Sequence, residues 1–534
     1  MGSPSSNPRG NIQLLQAPLV DAFEDRKSLI VCQTGTGGSA TSGALVTDVH
    51  LMTRAQVRAA FGEDEAYHRI NNWFLGVNKD NSVVIPKLDV ISLDPNGSGV
   101  AATAEIAFSG TATSDGTLRI TAVDQTQFQV DVSVTTGDTA TEIAAAVDAA
   151  FDALDYVPFT ASNATGTLTL TADDVGSLGN TYGLKYENVD NSVAGVTATL
   201  TGWAGGSTDP SFTGVFDVIE GIRYTSVSWP EGWTSDLDTA TDYFSARFNA
   251  SNQIMDGVVF HGFSATVANA KSKVASLNDQ SLVVGGNNKL DTATHKGPAI
   301  LQPADWILTY FMSVDDKRLS TGSQIADRIT ASNAPNDATG GPALASLPYF
   351  NTPLANAPVT SPTNLYTATE QVELENAGFT TFGVNRALNT MIMGPVVTTR
   401  TTDAAGNAND SFLYLNYVRT GSVCREIFFN VLKSNYSQSR LTQGDLVPGR
   451  SIENENSIRA DLLDIYQVLA ANVLVQAGQA AVKYFSDNTT IDVTLATGSV
   501  AINGPLPIVT QIRDVNYNLA LDFDIRSSST TITL

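Results

Sequence analysis

Residues 256–285 have the sequence DGVVFHGFSATVANAKSKVASLNDQSLVVG and predict a strand, a helix and a second strand in succession. Asp256–His261 and Ser281–Gly285 are short and rich in valine, which is typical of buried strands. Thr266–Leu277 lies between them and has a helical pattern. Because strands that alternate with helices form sheets covered by those helices, the stretch predicts an α/β core of mixed sheets with helices.

Similar units are predicted on both sides of this stretch. Thr53 and Gln56 have the spacing of a capping box and mark the start of one helix. The predicted elements are a strand at Ser28–Gln33, helices at Thr53–Phe61 and around Trp73, a strand at Ser82–Ile85, a strand at Val215–Tyr224, a helix at Asp238–Asn249 and one long helix at Ser457–Tyr484.

Residues 101–213 differ from the rest of the chain. Short strands rich in Thr and Val surround one helix, which begins at a second capping box, Thr139 with Glu142. The segment has fourteen acidic residues against Arg119 and Lys185, a net charge of −12 and half of the chain's −24. We interpret it as an inserted β-rich domain. Six prolines in residues 331–366 predict an extended surface arm rather than a packed element.

Motifs that would indicate catalysis or ligand binding are weak in this sequence. Residues 35–40 match a dinucleotide-binding fingerprint, but a poor helix follows, so a loop is the better interpretation. Residues 94–105 have the spacing of an EF-hand loop with β-like flanks, which favours a turn. The acidic pairs Asp173–Asp174 and Asp315–Asp316 resemble solvated loops. We therefore expect a structural protein, with no enzyme activity, cofactor or metal.

Composition limits the partners. The net charge of −24 argues against nucleic acid, since phosphate binding needs clustered Lys and Arg. No run of about 18 apolar residues is present, so membrane insertion is not expected. Cys32 and Cys424 lie in separate apolar contexts and are expected to be buried thiols in a reducing compartment.

The C-terminal segment alternates apolar and polar residues up to nine positions from the end. The apolar positions are Val515, Tyr517, Leu519, Leu521, Phe523 and Ile525. Alternation places one apolar face of a strand against a partner and one polar face in water. Such a strand either completes its own sheet or is donated to another chain.

Residues 396–419, VVTTRTTDAAGNANDSFLYLNYVR, resemble the contractile tail sheath proteins of myophages, particularly the Mu-like group. The resemblance extends to QVRAAFG at residues 56–62, to residues 113–180 as an inserted domain, and to residues 368–378. It implies a homo-oligomer of stacked hexameric rings around a tail tube, which contracts to drive the tube through the host envelope. Baseplate and tail terminator proteins are implied as further partners, with assembly in the host cytoplasm and a final place in the virion tail.

The resemblance also implies that terminal arms exchange strands between subunits, here 515–525 and about 11–22. Residues 400–460 carry a net charge of +1, so Arg440, Arg450 and Arg459 are candidates for contact with the tube. The alternative is a secreted or surface β-rich adhesin or hydrolase, which a signal peptide or a catalytic triad would favour. We expect these units: 1–25, N-terminal arm; 26–100, core, first part; 101–213, inserted outer domain; 214–385, core, second part, with the arm 331–366; 386–510, C-terminal tube-proximal domain; 511–534, C-terminal strand arm.

Overall fold

The computed structural model describes residues 26–79, 85–124, 126–247, 256–319, 349, 353–354, 364–385, 390–436, 438–446, 451–496 and 498–509. Both predicted terminal arms, including Val515, Tyr517, Leu519, Leu521, Phe523 and Ile525, lie outside the described residues. The same holds for Arg450.

A nine-stranded mixed sheet forms the centre of the molecule, which confirms the predicted α/β core. Its strands, in spatial order, are β16 (Pro353–Leu354), β18 (Thr390–Met393), β17 (Phe379–Asn385), β13 (Leu282–Gly286), β12 (Val258–Gly262), β11 (Ser226–Trp229), β1 (Lys27–Gln33), β3 (Lys87–Leu93) and β2 (Leu45–Val46). The six strands from β17 to β3 are parallel, and β18 and β2 run in the opposite direction. The edge strand β16 pairs antiparallel with β18 and so has the direction of the six. Parallel strands in such a core are covered on both faces, and β1, β12 and β13 are accordingly buried almost throughout their length.

Helices cover both faces of this sheet. Ile30 and Cys32 of β1 join one apolar core, while Leu29 and Val31 join the other. The first core contains α1 (Arg54–Phe61), α2 (Glu65–Val77) and α6 (Ala304–Leu319). The second contains α4 (Leu237–Arg247), α5 (Val267–Ala275) and α7 (Ala368–Asn376). Capping boxes are present at α1 and α7, as the sequence of α1 predicts.

Residues 101–204 form two further sheets around their own apolar core. The first sheet contains β10 (Val196–Ala204), β4 (Ala101–Gly110), β8 (Thr167–Val175) and β7 (Phe159–Ala164). The second contains β14 (Lys289–Asp291), β15 (His295–Pro298), β9 (Leu184–Val189), β5 (Gly116–Ala122) and β6 (Gln129–Val134). Helix α3 (Ala140–Asp152) packs between them and has the predicted capping box. The hairpin β14–β15 reaches this sheet from outside residues 101–213.

Two predicted elements are wrong in position, and a third, the strand at Ser82–Ile85, lies largely outside the described residues. The strand after α2 is Lys87–Leu93, and Ile85 precedes it; residues 82–84 are not described. The strand after the β-rich region is Ser226–Trp229, because residues 215–224 contain a short 3-10 turn, Asp217–Ile219. The predicted long helix at 457–484 is two helices, α9 (Glu455–Ala471) and α10 (Gln479–Asn488). Val473, in a left-handed conformation, ends the first, and Val475 bridges to Ile508 instead.

The prediction that both acidic pairs lie in solvated loops is also wrong. Asp315 and Asp316 lie in α6 and have no exposed surface. Asp174 lies in β8 and is buried. The prediction of a surface arm at 331–366 is wrong where the chain is described, since Tyr349 and Leu354 pack in the core beneath the sheet.

The C-terminal unit begins with the long helix α8 (Leu415–Tyr436). It continues through β19 (Arg440–Leu441), β20 (Ile452–Glu453), α9, α10 and the hairpin β21 (Thr490–Thr494) and β22 (Ser499–Asn503). These elements share a separate apolar core. In the parts of the chain just described, no helix has the length and apolar character needed to cross a membrane.

Candidate assembly interface

An apolar groove of about 800 Å³ crosses the C-terminal unit. Helix α8 contributes Phe428 and Leu432, α9 contributes Ile458 and Leu462, and α10 contributes Phe485. Val500 and Ile502 of β22 form the remaining wall. The described residues do not cover this apolar surface, which is formed by side chains of three helices and one strand. An uncovered apolar surface of this kind is typical of a binding site for another segment of protein.

The hairpin beside the groove is short and two-stranded. Ile491, Val493, Val500 and Ile502 face the helices, while the residues between them are exposed. The pairing is antiparallel, with Ile491 opposite Ile502 and Val493 opposite Val500. No third strand pairs with β21 or β22 among residues 26–509 as far as they are described. The outer edges of the hairpin therefore offer backbone N–H and C=O groups to an added strand.

Charged residues stand at the rim of the groove. Lys433 is exposed and its ammonium lies 5.5 Å from the centre of the Phe429 ring. Arg425 contributes a second cation, 4.0 Å from the carboxylate of Asp256. Glu453 of β20 is the acidic residue of the lining and is buried. The groove therefore has an apolar floor and two cationic side chains at its rim.

The last described residues leave the fold next to this groove. Leu506 is one of its lining residues, and Ile508 forms a bridge with Val475. The backbone N–H of Val509 donates to the carbonyl of Leu474 at 3.2 Å. The segment 511–534 thus starts within a few residues of the groove.

The three basic candidates for tube contact have different surroundings. Arg440 lies in β19, opposite Ile452, and is exposed. The guanidinium of Arg459 donates to the carbonyls of Ser486 and Thr489, at 3.1 and 2.9 Å, and pairs with Glu455 at 3.0 Å. Arg450 is not among the described residues. Arg440 and Arg459 belong to the same C-terminal unit, and their contact with a tube stays a prediction.

A buried ionic cluster joins α8 to the central sheet, and sequence analysis did not identify it. The carboxylate of Glu426 lies 3.0 Å from both Arg26 and Arg223. Arg223 also approaches Asp256 at 3.7 Å. These residues are separated by up to 400 positions, so no local pattern could have indicated that they meet.

The residues considered for chemistry are buried or lie in turns. Burial lowers the pKa of His68 to about 4 and of His261 to about 3. Cys32 and Cys424 are buried and unpaired, and burial raises the pKa of Cys424 to about 12. Residues 35–40 lead into a turn and β2 rather than a helix. Across the described ranges, no group of three or more His, Cys, Asp or Glu side chains could hold a metal ion.

Comparison with known proteins gives three relationships. The chain is 24% identical over 444 residues to the Mu-like prophage FluMu tail sheath protein of Haemophilus influenzae, covering 82% of each sequence. A sheath tail protein of Desulfitobacterium hafniense has a TM-score of 0.46 at 11% identity, covering 96% of this chain and 97% of its own. One from Listeria innocua has a TM-score of 0.46 at 10% identity, covering 93% and 96%. No protein-family model matches the chain. The sequence relationship confirms the resemblance to Mu-like tail sheath proteins.

Proposed function

We propose that this chain is a structural subunit of a contractile phage tail sheath. The observation that carries the proposal is the relationship to a Mu-like prophage tail sheath protein over 82% of both sequences. In this proposal the subunits form stacked hexameric rings around a tail tube and contract to drive the tube through the host envelope. The tail tube, baseplate and tail terminator proteins are the partners, and assembly in the host cytoplasm places the chain in the virion tail.

The hairpin β21–β22 is the proposed acceptor for an arm from a neighbouring subunit. Two-stranded hairpins are marginal alone and gain stability from a third strand or a packed helix. Here one face already packs on the helices, and no strand of the described residues pairs with the outer edges. A strand added beside β22 would lie along the groove, because Val500, Ala501 and Ile502 are part of its lining. Main-chain hydrogen bonds would supply affinity and the groove would supply specificity.

Segment 515–525 of a second copy is the proposed occupant. Its alternating pattern would direct Tyr517, Leu519 and Leu521 into the groove and leave the polar face in water. Asp522 and Asp524 complement the cations Arg425 and Lys433 at the rim. Eleven extended residues span about 36 Å, more than the length of β22. The N-terminal arm, about residues 11–22, is proposed to add to a neighbouring sheet in the same way.

Substitutions on the two faces of this arm test strand addition. Leu521→Asp together with Phe523→Asp should abolish polymerisation, because two carboxylates cannot enter an apolar groove without a partner. Asn516→Asp together with Asn518→Asp adds the same charge to the polar face and should leave assembly intact. Sedimentation and negative-stain electron microscopy would report tubes or soluble subunits.

Deletion of residues 511–534 should likewise give a soluble monomer with the secondary structure of the full chain by circular dichroism. Tubes of normal length from the deletion variant, or from the Leu521/Phe523 variant, would overturn the proposed role of this arm. Failure of the intact chain to form any tube, alone or with a tail tube, would instead overturn the sheath function.

The tube-facing surface is proposed to come from the C-terminal unit. Arg440→Glu with Arg450→Glu should impair assembly on tail tubes, because acidic side chains at these positions would repel an acidic tube surface. Polymers formed without a tube lack that contact and should be spared. Arg459→Glu is a separate case, because its guanidinium binds carbonyls within the chain. We expect that variant to unfold more readily as well. Co-assembly with purified tubes at low and high salt measures the effect, and unchanged assembly on tubes would place the contact elsewhere.

The β-rich region within 101–213 is proposed to lie on the outer surface of the assembly. Its net charge of −12 would repel the same region of a neighbour in a dry interface. An electron cryomicroscopy reconstruction of the polymer would test this position, and a location between sheath and tube would contradict it.

A further inference from the structure

The buried ionic cluster around Glu426 lies at one edge of the central sheet. Arg26, Arg223 and Asp256 immediately precede or closely approach the starts of β1, β11 and β12, which are neighbouring parallel strands. Parallel strands begin at the same edge, so these residues converge there. Glu426 and Arg425 reach the same point from α8.

Glu426 makes two short contacts in this cluster. One carboxylate oxygen lies 3.0 Å from Arg26 and 3.0 Å from Arg223, and the Glu426 side chain is 2% exposed. Arg223 also donates to the hydroxyl of Ser422, one turn earlier on α8, at 3.3 Å. Buried charges of this kind specify a geometry, because moving either partner leaves a charge without its counter-ion in a region of low dielectric.

The two ends of this contact belong to different parts of the proposed assembly machinery. Arg26 directly follows the N-terminal arm and precedes β1. Its backbone is held as well, since the N–H of Lys87 donates to the carbonyl of Arg26 at 3.0 Å. Glu426 lies two positions before Phe428, which lines the groove. One carboxylate therefore connects the root of the arm to the helix that carries the acceptor site.

We propose that Glu426 couples the root of the N-terminal arm to α8, the helix that carries the groove. A change that loosens the chain at Arg26 would then also loosen α8, and a change that orders one segment would order the other. Its consequence for assembly rests on the proposed sheath function: a subunit whose arm is engaged by a neighbour would present a better-ordered groove to the next one. Binding that orders one element then favours binding at the other, which is positive cooperativity within a single subunit.

Hydrogen exchange on the full-length chain, kept at a concentration below that at which it polymerises, tests this coupling without requiring assembly. Arg26→Met removes the cation at the arm root and leaves the Glu426–Arg223 pair in place. We expect amide exchange in residues 423–430 of α8 to accelerate about tenfold or more, although the substitution is 400 positions away in sequence. Glu426→Gln should accelerate exchange both there and at residues 27–29 of β1.

A matched control is Glu455→Gln, which disrupts an exposed ion pair with Arg459 on α9. It should leave exchange in both segments unchanged. Faster exchange at β1 alone in the Arg26 variant, with α8 unaffected, would overturn the coupling. If Glu426→Gln does not fold, the Arg26 variant decides the matter. Since exchange is measured on subunits, a coupled result would stand even if the chain formed no sheath, and an uncoupled result would leave the sheath function intact.

Discussion

Replacing Arg419 by leucine should lower the free energy of unfolding by about 3–5 kcal/mol, the usual effect of leaving one partner of a buried ion pair alone. The guanidinium lies 2.8 Å from the carboxylate of Asp315, which has no exposed surface. It also donates to the carbonyl of Thr225 and the hydroxyl of Ser226, both at 2.6 Å. Leucine would leave the charges of Asp315 and the neighbouring Asp316 without this cation.

Urea unfolding of the soluble chain, followed by tryptophan fluorescence, would measure this change. Arg119→Leu is the matched control, because its bidentate pair with Asp131, at 2.7 Å, lies on the surface. That variant should lose only about 0–1 kcal/mol. Equal losses in the two variants would show that burial does not determine the contribution of the Arg419 pair.

The second large effect concerns pH. Buried carboxylates meet where the β-rich region joins the central sheet, and Arg69 is a cation among them. The carboxylates are Asp64, Glu65, Asp174, Glu231 and Asp305. Burial is the main cause that raises their pKa values, to about 7 for Glu65 and for Glu231. Arg69 opposes this change at Glu65, and Lys289 opposes it at Glu231.

Raised pKa values predict a fall in stability as pH increases. The unfolded chain releases the protons of Glu65 and Glu231 near the ordinary pKa of about 4.5, whereas the folded chain holds them up to about pH 7. The contribution of these protonated carboxylates to the stability of the fold is therefore complete below the unfolded pKa, and it is lost as the pH rises from about 4.5 to 7. One pKa unit corresponds to about 1.4 kcal/mol, so Glu65 alone accounts for about 3 kcal/mol.

Asp174→Asn should increase the free energy of unfolding at pH 8 by roughly 1–3 kcal/mol and weaken the pH dependence. Asp174 accepts from the N–H of Glu65 at 3.2 Å and from the Gln33 amide at 3.1 Å. The side-chain carbonyl oxygen of Gln33 has no hydrogen-bond partner among the described residues, so a flipped Gln33 amide can accept from the amide that the substitution introduces. The substitution thus removes a group that can ionise and preserves both contacts.

Urea midpoints at pH 5 and pH 8 would measure both the wild-type fall and its reduction in the variant. Asp131→Asn removes the same charge from the surface, where Arg119 lowers the pKa of Asp131. This control should not reduce the fall in stability with pH. A stability that rises from pH 5 to pH 8 would contradict the assignment of protons to the buried cluster.

Local patterns predicted the elements whose signals are local. The capping boxes at Thr53 and Thr139 and the valine-rich strands β12 and β13 are found close to their predicted positions. The strand Lys87–Leu93 is not predicted, because it contains Asp89 and Ser92, which are polar and look unsuited to a core. In the fold, the carboxylate of Asp89 lies 3.3 Å from the ammonium of Lys27 and accepts a hydrogen bond from the hydroxyl of Tyr224 at 2.7 Å, and these contacts compensate its burial.

Long-range contacts could not be predicted in this way. The acidic pair Asp315–Asp316 looked like a solvated turn because its cation, Arg419, is 104 positions away. Likewise, no pattern indicated that β15 would pair with β9, with His295 opposite Lys185. The predicted domain of residues 101–213 therefore omits two strands of its own sheet. Deleting residues 101–213 would remove β9 and so expose the edge of β15 that pairs with it.

The position of β1 has a mechanical consequence. The proposed N-terminal arm precedes an interior strand, β1, which is held by β3 on one side and β11 on the other. Seven residues of β1 pair with β3, from Lys27 to Gln33, and three pair with β11. A pull on the arm along the strand axis would load both ladders in shear, with their hydrogen bonds stretched together. An edge strand pulled sideways would open one bond at a time. If subunits are linked through these arms as proposed, force would therefore enter each molecule through a strand that resists extraction.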